Sequence, residues 1–586
     1  MGKRKNRSKH RAAQGTKGSA ATWSQGALRS YNVGAMPIIN HFLERMNLES
    51  ILQSCLPPED KRTKIPTARG IMLLVRNILI SREPLYGIGE WASRYAPDLL
   101  GLTPEQVSLL NDDRSGRWLT RFFFSDPPAI ALAVTAHSIR QFEVALDELH
   151  NDSTTVTFSG AYSGAERERE THGRRTPAIT LGHNKDHRPD LKQLLYVLTL
   201  SHDGGVPVHF RVCSGNVVDD QTHCETWDLL CQLADRPDFL YVADCKLATT
   251  DNMTHIHSRG GRFVTVLPRT RKEHSDFHEQ LAAGRIVWRS LWNKTNDHDE
   301  IVDRFSLSDS PTLTAEGFRL IWYHSTRKAE LDAASRANSI RRALLALAEL
   351  REKLRGPRTR YRDSAKVHEA VAEILKNHGT SDLIRVTVHE TSVETFRQSS
   401  RGRPGVNTKY VKQVKSRFDL ESEIDHGKME VAERMDGVFP LITNDRSLTE
   451  LELLHAYKRQ PTIEKRFEQM KTDFAIAPMW LKDVKRIDAL LGVYYLALLA
   501  EALIERELRK AMEREGLESL PMYPEGRACR NPTTRRLIDL FDPIQRHEIH
   551  VTGEEPTTVV TELTQLQRRL LRLLRVPMAS YGHPTD

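Results

Sequence analysis

The sequence predicts an α/β protein. It expects a mixed sheet core with an inserted α+β subdomain, a helical N-terminal domain and helical C-terminal segments. Three observations carry this. Between residues 151 and 269, β-branched and apolar runs alternate with a helical pattern. Before that segment and late in the chain, apolar residues recur at helical spacing. Between the two core parts, residues 270–446 are basic and mixed in pattern, as an insertion would be.

The bulk properties fit a multidomain globular chain. Its 586 residues suggest about three or four domains. With 39% hydrophobic and 28% charged residues it is not wholly disordered. The longest apolar run, Ala489 to Ala500, is short of the ~20 residues of a membrane span, so no membrane role is expected. Residues 1–20 carry seven basic residues (Lys3, Arg4, Lys5, Arg7, Lys9, Arg11, Lys17) and no acid, which accounts for nearly all of the net +8. Residues 1–23 therefore read as a disordered tail that attracts phosphate backbones without reading sequence, or that serves solubility alone. Six scattered cysteines (Cys55, Cys213, Cys224, Cys231, Cys245, Cys529) match no zinc spacing and read as reduced thiols of a cytoplasmic protein.

Residues 24–150 form the helical N-terminal domain. Ile71, Leu74, Val75, Ile78 and Leu79 share one helix face, and Asp126-Pro127 starts a helix expected to reach about His150. Asp112 and Asp113 read as turn or cap residues. This domain suits DNA-end binding or dimerisation.

Residues 151–269 begin the core. Strands are predicted at 152–158, 191–200, 206–213, 238–244 and 262–268, with helices at 222–233 and 253–258. The order β-β-β-α-β-α-β, with a hairpin near its start, is the pattern of an RNase H-like sheet. A long helix, 329–354, a basic cluster (Arg355, Arg358, Arg360, Arg362) and two strand-like pieces, 383–390 and 437–443, compose the expected insertion. Ser447 and Glu450 read as a capping box opening the second core block, 447–515. Pro461 starts a further helix. Residues 516–586 are a loop and a final amphipathic helix.

Two acids stand where such a core offers ligands. Asp152 opens the first strand and Asp244 closes the fourth, and neighbouring strands bring them together. Paired carboxylates suit Mg²⁺, and two ions ~3.5–4 Å apart support phosphoryl transfer. Glu464 is the candidate third acid, with Glu468, one turn on, as the alternative. Phe467 and Lys471 are expected on the same helix face as Glu464.

The polar loop His183, Lys185, Asp186, His187, Arg188, Asp190 precedes the second strand. It reads either as solvated or as a contact to DNA or to the active-site edge. Asn216 and Asp219 read as turn residues, with support for the ligands of a metal site as the alternative. Arg401 and Arg403 lie in an Arg-Gly-Arg-Pro sequence whose extended backbone suits a narrow minor groove; a plain turn is the alternative. Trp288, Trp292 and Trp322 read as core, with an aromatic platform for a flipped base as the alternative.

The motifs "DSTTVTF" (152–158), "GHNKDHRPDLKQ" (182–193), "SGNVVDD" (214–220), "VADCKLAT" (242–249), "DGVFPLIT" (436–443) and "AYKRQPTIEKRFEQMK" (456–471) resemble the bacterial insertion-sequence DDE transposases. The branch is the one with a large insertion before the glutamate. The resemblance implies the triad Asp152, Asp244 and Glu464, holding two Mg²⁺ ions for which Mn²⁺ would substitute. It implies cutting at terminal inverted repeats and joining of 3′-hydroxyl ends to target DNA, by a homodimer on double-stranded DNA in the cytoplasm, associated with the nucleoid. Tyr457, Glu464 and Lys471 fall in register with the family's signature. The arginine position holds Gln460, and Arg459 stands one residue early. The alternative is an RNase H-like protein that binds DNA or represses transposition without cutting. A nuclease without strand transfer is a third reading.

Overall fold

The computed structural model describes residues 26–296, 299–308, 312–356, 359–477, 479, 481–551 and 555–582. The basic tail 1–23 and Arg358 lie outside them. Helices α1 (Thr67–Ile80), α2 (Asp112–Phe124) and α3 (Pro127–Phe142) precede strand β1 (Glu148–Phe158). Then come β2 (Lys192–Ser201), β3 (Pro207–Ser214), α4 (His223–Ala234), β4 (Leu240–Ala243), α5 (Thr250–Ser258) and β5 (Arg262–Val266). Strands β6 (Trp288–Thr295), β7 (Ile301–Ser308) and β8 (Arg319–Ser325) lead into α6 (Thr326–Arg355) and α7 (Ser364–Asn377). The long strands β9 (Ile384–Gln398) and β10 (Tyr410–Ile424) precede β11 (Val438–Thr443). Helices α8 (Glu450–Lys458), α9 (Pro461–Glu468) and α10 (Val484–Arg514) follow, and where a loop and one helix were expected the chain then adds a helix Thr534–Phe541, strands Gln545–Val551 and Thr557–Val560, and a helix Gln565–Leu573.

A large mixed sheet organises the α/β architecture. Its order is β3-β2-β1-β4-β5-β11-β8-β7-β6, with the short strand Thr312–Leu313 beside β8. β1 pairs antiparallel with β2 and parallel with β4, and β4 pairs parallel with β5. Side chains alternate across it, as a pleated strand requires. Leu194, Tyr196 and Leu198 point into the largest core, with residues of α1, α2, α3 and α10. Leu195 and Val197 point the other way, toward Cys213. Helix α10 is long and apolar enough to cross a membrane by length and composition, yet 89% of its most apolar window is buried inside the protein. All six cysteines are free thiols.

Four expectations are corrected. The sheet does not stop at residue 269: β6, β7, β8 and β11 join it, while α6, α7, β9 and β10 build a separate core around Ile340, Leu347, Val367 and Phe418. Helix α3 stops at Phe142, because Arg506 takes the carbonyls of Phe142 and Glu143 and turns the chain into β1. The N-terminal domain includes a strand, Gly26–Asn32, whose partner Gln545–Val551 is over 500 residues away. The capping box is Thr449–Glu452, since Asp445 claims the Ser447 hydroxyl at 2.6 Å.

One buried polar network ties α9 to the core. The Arg466 guanidinium donates to Glu505 on α10 (2.9 Å), to Gln469 (2.7 Å) and to the carbonyls of Gly204 and Gly205 in the β2–β3 turn. Its side chain and that of Glu505 are 4% and 2% exposed. Removing one partner of such a pair strands a buried charge, so Arg466→Met is expected to cost about 3–5 kcal/mol, read as a lowered urea midpoint. Glu501 sits beside Glu505, and burial together with that carboxylate holds its acid well above the usual carboxylate range. The folded chain then keeps a proton there that the unfolded chain releases, so stability falls as pH rises through that window. Glu501→Gln is accordingly expected to gain on the parent between about pH 5 and about pH 8; urea melts across that range check it, and parallel profiles would refute it.

Candidate active site

The site begins with strand pairing. The parallel register of β1 and β4 runs from Glu148↔Leu240 to Asn151↔Ala243, so Asp152 and Asp244 are the next residues on the two strands. Asp152 is the fifth residue of β1 rather than its first, because β1 extends back to Glu148. Its Oδ1 accepts from Lys185 Nζ at 3.1 Å and from the Ser153 amide at 2.7 Å. Burial pushes the Asp152 acid up to about 6; Lys185 pulls it down and the Asp244 carboxylate pushes it up again. Burial likewise raises Asp244, against the Lys246 amide that donates to it at 2.9 Å.

Lys185 is the cation among these acids. It also donates to the Ser153 carbonyl (2.7 Å) and pairs with Asp219 at 3.0 Å. Asp219 belongs to the short helical turn Asp219–Thr222 after β3, and its charge acts on Asp244 as well. By its place in the sequence Asp219 is a turn residue; the structure brings it to the site through Lys185. Its place after β3 was the signal available in the sequence.

The Lys185 loop is built from its own polar residues. Asn184 is buried, and its Oδ1 accepts the amides of Asp186 (2.8 Å) and Arg188 (3.1 Å). Its Nδ2 donates to Gln193 at 2.9 Å, and Gln193 in turn donates to the carbonyls of His183 and Gly215. Gly215 must be glycine here, since a Cβ would meet the Gln193 carbonyl oxygen at 2.1 Å. Asp186 accepts from Lys471 Nζ at 2.7 Å and from the Thr155 hydroxyl at 3.4 Å. The Lys185-Asp186 pair therefore connects the β1 acid to the segment after α9.

The α8–α9 side departs from expectation in part. Glu464 lies on the exposed face of α9, whereas Phe467 is buried in the core. Helix α9 ends at Glu468 and a π-turn, Gln469–Asp473, follows, so Lys471 does not continue the α-helical spacing from Glu464. Tyr457 stacks on Phe439, and both Asp244 and Glu464 add to the burial that raises its hydroxyl. Arg459 pairs with Glu148, which also bonds His150 at 2.7 Å. Gln460, in the expected arginine position, is buried against β1 and bonds His150 and the Asn151 carbonyl. Arg459 is thus engaged with β1 in this structure, and Glu148 and His150, which the sequence reading passed over, hold the join.

The remaining candidates lie elsewhere. Arg188 forms a bidentate pair with Asp190 and is exposed. Arg401 and Arg403 are exposed at the tip of the β9–β10 hairpin. Trp322 is buried, and Trp292 stacks on Phe305. Among the described residues, no three His, Cys, Asp or Glu side chains gather into a group that could hold a metal ion.

Residues 28–135 match the family model DUF4277, a domain of unknown function. No curated protein matches the chain. Among solved structures, the piggyBac transposase synaptic complex with hairpin DNA aligns over 88% of this chain and 81% of that one, at 7% identity and a TM-score of 0.35. That likeness is too distant to assign a fold or an activity.

The Lys185 charge has a measurable consequence. Lys185→Met removes the cation that pulls the Asp152 acid down, so that acid rises further and its ionisation costs more in the folded state. The variant is expected to lose on the order of 1–2 kcal/mol relative to the parent at pH 8, and less at pH 5, where Asp152 is largely protonated in both. Denaturant midpoints at the two pH values check it, and an equal loss at both would refute the assignment.

Proposed function

We propose that the chain is a DNA transposase of the bacterial insertion-sequence DDE type, with the β1–β5 portion of the sheet serving as an RNase H-like catalytic core. The observation that supports it most is the juxtaposition of Asp152, midway along β1, with Asp244, just past the end of the neighbouring β4, with Lys185 bridging Asp152 and Asp219. The motif resemblance adds Glu464 as the third acid.

The donors suit the group that the family uses. Asp152 and Asp244 are hard oxygen ligands, partly buried and mutually repelling, an arrangement that a divalent cation relieves. In this reading Asp152, Asp244 and Glu464 hold Mg²⁺ or Mn²⁺. Two such ions, when bound, would activate water or a 3′-hydroxyl and stabilise the leaving oxygen. The protein's own groups do the rest. Lys185 balances the charge of Asp152 and Asp219. Lys471, held by Asp186, is available to a DNA phosphate that displaces that carboxylate. Gln460 and Arg459 fix α9 against β1. The chain would cut at the terminal inverted repeats of its element and join the freed ends to target DNA, acting as a homodimer at the nucleoid.

One observation favours a second reading. No three potential ligands gather among the described residues, and Lys185 sits where a cation would be useful. A protein that binds DNA or represses transposition without cutting would tolerate that arrangement.

The test uses a labelled duplex taken from the DNA flanking the chain's own reading frame. Nicked and joined products are expected with Mg²⁺ or Mn²⁺ and not with EDTA. Glu464→Gln and Asp152→Asn should each lower the rate on the order of 1,000-fold or more. Tight binding with no cleavage under either metal would support the second reading. Cleavage that survives Glu464→Gln would move the third acid to Glu468.

A further inference from the structure

Strands β9 and β10 pair in register over fifteen positions, from Ile384↔Ile424 to Gln398↔Tyr410, and form a two-stranded sheet by themselves. At ~3.3 Å per residue the ribbon is about 50 Å long. Only its base is covered: Ile384, Phe418 and Leu420 are buried with residues of α6 and α7. Beyond Phe418 the ribbon is bare, with Phe396 66%, Tyr410 53% and Val414 59% exposed. An unsupported two-stranded hairpin is marginal in water, so this length of bare ribbon points to a partner.

The charge says which partner. Residues 395–418 contain Arg397, Arg401, Arg403, Lys409, Lys412, Lys415 and Arg417, and no acid. Lys412 pairs with Glu394, just outside that range. The other six have no ion-pair partner among the described residues. The register sorts them. Arg397 stands opposite Val411, Lys415 opposite Val393 and Arg417 opposite Thr391, so the three cations share one face. Phe396, Tyr410 and Val414 occupy the other face. The tip carries the Arg401-Gly-Arg403-Pro404 sequence, fully exposed. A ribbon with one cationic face fits a polyanion, and the major groove of B-DNA, about 12 Å wide, admits a two-stranded ribbon.

We propose that the β9–β10 hairpin is a DNA-binding arm, in which Arg397, Lys415 and Arg417 contact the phosphates of duplex DNA outside the carboxylate site. This deepens the transposase reading by giving the insertion its ligand, and it rests on that reading for its biological setting only. An acidic protein partner is the competing occupant.

The test is fluorescence anisotropy of the full chain with a labelled 30-base-pair duplex of arbitrary sequence, titrated with salt. Counterion release predicts that each lost phosphate contact lowers the slope of log K against log salt by about 0.9. The triple variant Arg397→Gln, Lys415→Gln, Arg417→Gln should therefore lose about 2–3 from the slope and bind about 10- to 100-fold more weakly at moderate salt. As a second readout, a photoreactive residue at the exposed position Val406 should cross-link to the duplex under ultraviolet light, and this decides the matter if the triple variant fails to fold. An unchanged slope, or no cross-link, overturns the proposal, as does a cross-link competed by polyglutamate and not by unlabelled duplex. A chain that binds through the arm and never cuts keeps the arm and sinks the transposase reading. A chain that cuts while its duplex affinity ignores the triple variant does the reverse.

Discussion

The geometry of the candidate site depends on Arg466. This arginine is two residues past Glu464, inside the protein, and it binds three elements at once: Glu505 on α10, Gln469 on its own segment, and the carbonyls of the turn between β2 and β3. Burying a guanidinium and a carboxylate together gains little net stability, because desolvation offsets most of the attraction. Its value lies in position. Any displacement of α9 would separate those charges, so the helix has one seat against the sheet. Arg506, the residue after Glu505 on α10, repeats the device, taking the carbonyls of Phe142 and Glu143 and pairing with Asp203 in the β2–β3 turn. Two buried arginines thus set both the helix that carries Glu464 and the point where β1 begins.

With that frame in place, the site is an excess of negative charge where β4 ends beside the middle of β1. The Asp244 carboxylate acts on Asp152 and that of Asp219 on Asp244, and among the described residues Lys185 is the cation that pairs directly with two of the three. The loop that delivers Lys185 is not held by packing, which is sparse there, but by Asn184 and Gln193, whose amides satisfy the loop's backbone groups. Asp186 on the same loop holds Lys471. The two sides of the site, strand and helix, are therefore coupled through adjacent residues of opposite charge.

Much of the sheet was legible in the sequence because its strands carry their own signal. β2 is a nearly continuous apolar run and β1 is β-branched, and strand ends place acids at an edge once the order is known. What was illegible depends on distant partners or competing hydrogen bonds. The strand Gly26–Asn32 has no apolar alternation and exists because Gln545–Val551 pairs with it. The early end of α3 follows from Arg506, some 360 residues later. The Ser447–Glu450 motif has the right spacing, but Asp445 reaches the serine first. The face shared by Glu464 and Lys471 was inferred from a regular helix, and the π-turn after Glu468 breaks that periodicity. Asp219 carried no signal beyond its position after β3, because it needs Lys185 to join the acids.

The insertion poses a different question, namely how a core can carry it without distortion. It leaves the sheet at Ser325 and returns at Val438, and these ends are neighbours, since β8 pairs antiparallel with β11 and His324 stands opposite Val438. The junction is closely bonded. Buried Asp303 accepts from Ser325, Thr326 and the Arg327 amide at the start of α6. On the return side, Asp332 accepts the Gly437 amide and Arg336 pairs with Asp436. Gly437 has a positive φ, and a Cβ there would meet the Ser325 carbonyl oxygen at 2.4 Å, so only glycine lets the returning chain pass so close to the departing one. Because entry and exit meet, lengthening the segment between them leaves the strand register untouched, and closing a longer loop adds little entropy cost. The unit beyond the junction has its own core around Ile340, Val367 and Phe418, so it can bear a long bare ribbon without drawing on the packing of the sheet.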